Sequence, residues 1–236
     1  MPDPHAAEWA AVYYGQRLAG DFYDVIRPSP DRLLFVLVDA AGRVDETRSI
    51  LAGLQRVFRN RGGELFASDG LKESNEWKMS RLCLAMNHRI LESGVRACPT
   101  FAACYDRVAS TLCYVNAGHI PALLRTGTSV SELPATAIPL GLFSQPDCEA
   151  RSLSLELGAA LVLASRGVIE AKQQGEDWGI LRLREALAST TAEDPKELSL
   201  ALLDRVRQYT RTPPTHNDVT FVALRHRPVA PSTTGA

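Results

Sequence analysis

Apolar and polar positions along the chain switch repeatedly between strand-like and helix-like spacing. Leu33 to Val38 is a near-continuous apolar run, too short for a typical helix, and predicts a strand buried on both faces that delivers Asp39 at its end. Ile50, Leu54, Val57 and Phe58 then recur at helical spacing. Asp45 and Glu46 fall in the first turn of that helix, where its dipole favours carboxylates, and Gly62-Gly63 is expected to close it. A second helix is predicted over about 76–93 on Met79, Leu82, Met86 and Ile90, with Gly94 as its cap. Short strands follow at about 101–106, 110–116, 121–125, 151–156 and 160–165, separated by turn formers such as Gly118-His119 and Thr126-Gly127-Thr128. Two further helices are predicted at about 179–189 and 195–209. The second of these has Asp194 as N-cap, Pro195 at its first position and Leu198, Leu202, Val206 and Tyr209 on one face. A last strand at about 218–225 closes the pattern.

Strands interleaved with pairs of helices fit either a doubly wound sheet or a sandwich of two sheets flanked by helices. The 236 residues, 45% of them hydrophobic and 22% charged, suffice for one sizeable core, expected over residues 1–227. The small and polar residues 228–236 are expected to form a disordered tail. A net charge of -1 provides no footprint for nucleic acid or an anionic membrane. No apolar run approaches the length of a spanning helix, and no signal-peptide pattern opens the chain, so a cytoplasmic location is expected. The five cysteines are odd in number and lack C-x-x-C spacing, which points to buried free thiols rather than a disulfide framework or a zinc site.

Chemistry gathers around carboxylates. Gly20-Asp21-Phe22-Tyr23-Asp24 precedes Asp39, and Asp218-Val219-Thr220 opens the last strand. Taken singly, Asp21 and Asp24 read as turn residues and Asp39 as a strand-end cap. Their order with Val115-Asn116-Ala117-Gly118-His119, Pro139-Leu140-Gly141 and Gly167-Val168-Ile169-Glu170-Ala171 makes them a candidate site. His119 reads as structural, because a turn between strands needs glycine and polar caps in any case. His88 and His216 have no partners at ligand spacing, and Glu170 is explained equally well as the start of a helix. Asp69, Glu73 and Glu76 form a polar stretch between the first two helices and read as a solvated loop.

In this order of blocks the chain resembles the bacterial branch of the PPM-type, metal-dependent serine/threonine phosphatases, the branch of stage II sporulation protein E and the stress sigma-factor regulators. The resemblance implies a four-layer α/β/β/α sandwich of two mainly antiparallel sheets. It also implies hydrolysis of phosphoserine or phosphothreonine by water held between two Mg²⁺ or Mn²⁺ ions on aspartates. Two of the family's four carboxylate positions are kept, as Asp21 and Asp39, with the Ala40 carbonyl as a further metal ligand. The other two carry Arg166, before Gly167, and Asn217, before Asp218. Gly42-Arg43-Val44 also stands where the family has G-H-G. The resemblance therefore implies one ion or none.

Two functions follow: a silent or nearly silent phosphatase fold that binds a phosphoprotein or an anti-anti-sigma (STAS-like) regulator, or an active enzyme with a reduced ligand set. Arg17, four residues before Asp21, matches the spacing of a phosphate-binding arginine in the superfamily. Asp24, Gly167 and Asp218 are expected to line the site, with Asp218 turned away from Asp39 by strand alternation. Arg166 is expected to turn inward and hold both Asp21 and Asp39 ionised in place of a metal.

Overall fold

Alternation along β-strands decides which side chains meet, and here it builds three cores. The computed structural model describes residues 8–15, 20–40, 44–67, 73–94, 97–211 and 218–227. In chain order its elements are β1 (Trp9–Tyr14), β2 (Gly20–Ser29), β3 (Arg32–Ala40), α1 (Val44–Phe66), α2 (Asn75–Glu92), β4 (Thr100–Asp106) and β5 (Thr111–Ala117). There follow β6 (Ala122–Thr126), β7 (Ser129–Leu133), β8 (Arg151–Ser154), β9 (Ala160–Ala164), α3 (Arg166–Ile169), β10 (Lys172–Gln173) and β11 (Glu176–Asp177). The last elements are α4 (Gly179–Ser189), α5 (Pro195–Thr210) and β12 (Val219–Arg225).

Two five-stranded antiparallel sheets result, ordered β1-β12-β9-β6-β7 and β2-β3-β4-β5-β8. In β3, Leu34, Val36, Val38 and Ala40 pack under α1 and α2, while Leu33, Phe35 and Leu37 face the other sheet. β12 does the same in mirror image. Val222 and Leu224 enter the space between the sheets, and Val219, Phe221 and Ala223 pack against the layer of α4 and α5. The fold is thus the α/β/β/α sandwich, and the all-buried run before Asp39 is the strand next to the edge of its sheet, between β2 and β4.

Local signals explain several boundaries. Ser74 caps α2 by accepting from the Trp77 amide, and Gly94 follows the helix at φ +74°. Asp194 accepts from the Lys196 and Glu197 amides at the start of α5. Gly62-Gly63, expected to stop α1, lies within it, and the helix runs on to Phe66. A Cβ at Gly62 would stand 2.4 Å from Leu34 Cδ2, so this glycine lets α1 lie close on the sheet. β1, β2 and β7 were not anticipated, because their polar and apolar residues mix without a clean period. All five cysteines are buried and free. Burial pushes the Cys98 and Cys148 thiols up to about 11 and Cys113 to about 12, which makes them inert fillers of the core. No helix among the described residues is long and apolar enough to cross a membrane. Residues 228–236 lie outside the described residues.

Candidate functional site

Register brings the first two acids together. In the β2–β3 ladder Asp21 stands directly opposite Asp39. Asp39 continues the phase of Leu33, Phe35 and Leu37, so both carboxyls open toward the seam between the sheets at its end.

The second sheet closes that end. β9 stops at Ala164, and Ser165 locks the following turn onto β12. Its amide donates to the Thr220 carbonyl at 2.9 Å and its hydroxyl to the Asp218 carbonyl at 3.2 Å. The Thr220 amide donates back to Ser165 Oγ at 3.1 Å, and Thr220 Oγ1 donates across the seam to Asp21 Oδ2 at 3.2 Å. Arg166, the first residue of α3, places its Nε 3.0 Å from Asp39 Oδ2 and 3.9 Å from Glu170 Oε1. Its side chain is 48% exposed and that of Asp39 16%, so the pair sits at the rim of the seam.

Electrostatics separate the two acids. Burial raises Asp21 from its ordinary 3.8 to about 7; the charges of Asp39 and Asp218 push the same way, and the hydroxyls of Ser165 and Thr220 oppose them. The guanidinium pairs with Asp39, whereas Asp21 takes its hydrogen bond from Thr220. His119 is buried beside this pair: burial lowers its pKa, the backbone carbonyl of Ile120 at 3.0 Å and the charge of Asp39 raise it, and Arg166 lowers it.

Several expected residues stand elsewhere. Asp24 lies three positions from Asp21, hence on the opposite face of β2, where Arg59 of α1 grips it at 2.7 and 2.9 Å; it does not line the site. Asp218 is not turned away. It shares the phase of Thr220, Val222 and Leu224, its carboxylate covers Gly15 so closely that a Cβ there would stand 2.1 Å from Oδ1, and its charge is felt at Asp21. Glu170 caps the C-terminal end of α3 instead of starting a helix. Gly167 is buried in the first turn of α3, and the Ala40 methyl lies in the core under α1 and α2. Arg17 and Asn217, like Asp69 and His216, lie outside the described residues. His88 is exposed.

Three contributors were missed or set aside. Ser165, just after β9, and Thr220, in β12, are small hydroxyl residues beside apolar ones, a pattern that also fits ordinary packing. For His119 the turn reading holds as well: its amide is bonded to Asn116 Oδ1 at 2.9 Å, and Gly118 takes φ +69° against Pro139.

The donor set does not fit a pair of divalent ions. Such a centre needs several carboxylate oxygens free to face the metals. Here an Asp39 oxygen faces a guanidinium, and no group of three or more His, Cys, Asp or Glu among the described residues is arranged to hold a metal.

The family model described as stage II sporulation protein E (SpoIIE) matches residues 29–227. Stage II sporulation protein E of Bacillus subtilis is 26% identical over 112 residues, which are 48% of this chain and 13% of that protein. Among solved structures, the PP2C phosphatase domain of Bacillus subtilis SpoIIE with a fragment of its regulatory domain is similar at a TM-score of 0.74 and 19% identity. That match covers 95% of this chain and 63% of the other. The RsbU and RsbW domains of a Mycobacterium tuberculosis protein give a TM-score of 0.74 at 22% identity over 94% of this chain and 62% of theirs. The chain thus spans less than two thirds of these relatives.

Proposed function

We propose, for a chain that belongs to the stage II sporulation protein E family, that its phosphatase fold works by binding a regulator protein and has little or no phosphatase activity of its own. The observation that carries this reading is the 3.0 Å pair between Arg166 and Asp39. A fixed cation stands where the family resemblance expects a metal-ligating aspartate, and Asn217 replaces another. Without a pair of ions, water keeps a pKa close to its bulk value and the charge developing on phosphate loses its main stabiliser. The partner that the family resemblance implies is a STAS-like regulator, phosphorylated or not, met in the cytoplasm, and a fold shared with RsbU and RsbW domains agrees with a regulator partner. Fold alone does not decide activity, and the substituted ligands weigh against it.

The half-exposed position of Arg166 favours one second reading. Swung outward, it leaves Asp21, Asp39 and the Ala40 carbonyl for a single Mg²⁺ or Mn²⁺. Calorimetric titration of the purified chain with both ions, together with hydrolysis of a phosphoserine peptide, separates the two. Weak or absent ion binding with background turnover supports the binding role. Robust turnover abolished by Asp39→Ala overturns it.

A further inference from the structure

From Thr47 to Gly63 the chain carries four arginines and no acidic residue, although the whole protein has a net charge of -1. These residues form most of α1. At 100° per residue Arg48, Arg59 and Arg56 fall within an arc of about 80°, spread over about 16 Å of helix axis, with Ala52 and Gly63 between them. Arg48, Ala52, Arg56 and Arg59 are exposed, and a Cβ at Gly63 would meet nothing within 4 Å. The stripe is therefore both cationic and flat.

Its charge is only partly neutralised. Arg59 is fixed by Asp24, a buried carboxylate of the edge strand β2, and Arg61, on another side of the helix, pairs with Glu64. Arg48 and Arg56 have no carboxylate partner among the described residues. Exposed arginines on a helix are usually a solvated face, and such a face normally mixes signs to support its own helix. Asp45 and Glu46 precede this run and Glu64 follows it, so the positive field is confined to the middle of the helix.

We infer that this face of α1 docks an acidic helical surface of a partner protein. The small residues between the arginines let a second helix approach the stripe, and aligned carboxylates on it would complement the charge. A nucleic acid is disfavoured. A long polyanion must also cross the acid-bearing surface around the stripe, whereas a short acidic helix need meet only the charges within a Debye length of about 8 Å. α1 covers the outer face of the sheet whose inner face carries Asp39, so a partner seated here meets the layer that backs the carboxylate seam. The inference names the partner chemistry for the regulator-binding reading and rests on it for biological meaning, but its test involves neither metal nor turnover.

The test is fluorescence anisotropy with a labelled helical peptide bearing glutamates at i, i+4 spacing, titrated with the whole chain at low and at physiological salt. A single-stranded oligonucleotide of equal charge is run beside it. The peptide is expected to bind in a salt-sensitive manner. Affinity should fall about tenfold or more in Arg48→Glu/Arg56→Glu, less but in the same direction in Arg48→Gln/Arg56→Gln, and by no more than about twofold in Arg184→Glu, a control on α4. No binding, equal losses in stripe and control variants, or tighter binding of the oligonucleotide would each overturn the inference.

Discussion

Thr220 donates a 3.2 Å hydrogen bond to Asp21 although 199 positions separate them in the chain, and this bond joins the two sheets where the candidate site opens. It favours the ionised form of an acid that burial otherwise keeps protonated. Thr220→Val keeps the shape and removes the donor. The variant should lose about 1–3 kcal/mol, measured by urea unfolding at neutral pH, with a smaller loss in acid where Asp21 is protonated in either protein.

Asp21 also sets a pH dependence. Its folded pKa of about 7 lies above the ordinary 3.8, so across that window the folded state holds a proton that the unfolded chain has released. Stability attributable to this group is greatest below about pH 4, declines as pH rises toward about 7 and levels off above. Asp21→Asn should flatten that decline, seen as melting temperatures of parent and variant that diverge steadily between those limits in the variant's favour. Parallel curves would show that Asp21 titrates normally.

Arg166→Ala should destabilise the metal-free protein by about 1–2 kcal/mol, less than the loss for a fully buried pair because the guanidinium is half exposed. Mn²⁺ should then raise the variant's melting temperature while leaving the parent nearly unmoved. An unchanged melting temperature in the variant, combined with strong stabilisation of the parent by Mn²⁺, means that Arg166 does not stand in for a metal.

The Asp24–Arg59 pair predicts a contrasting result. Asp24 is 7% exposed and Arg59 53%, and the contact is two-pronged, so the double-mutant cycle of Asp24→Asn and Arg59→Ala should yield a coupling of about 1–2 kcal/mol. Because Asp24 faces α1 and not the seam, neither substitution should alter ion binding. A change in Mn²⁺ affinity in Asp24→Asn would return that residue to the site.

Much of this architecture was legible where one physical term dominates. The unbroken apolar run Leu33–Val38 admits only a doubly buried strand, and Asp194-Pro195 admits only a helix start. β2 was not legible, since Asp24 and Arg27 interrupt its apolar positions and are explained only by partners on α1 and in the segment before β1. The convergence of Asp21, Asp39 and Arg166 followed from the family's order of blocks. The finer partition did not, because it depends on which face each residue takes: Asp24 and Asp218 were both misassigned by local reading, one for want of its arginine and the other for want of the phase of β12. Ser165 carries no signal until the two sheets are stacked, and Thr220, although it stands in the block Asp218-Val219-Thr220, shows its bond to Asp21 only then.

The bonds Thr220–Asp21 at 3.2 Å and Arg166–Asp39 at 3.0 Å both tie the β2–β3 ladder to the other sheet or to the helix that follows its β9 strand. Sliding one sheet over the other by about an ångström along either bond takes it beyond hydrogen-bonding range. A displacement of the layer of α1 and α2 relative to that of α4 and α5 would therefore disturb the pairing of both aspartates together.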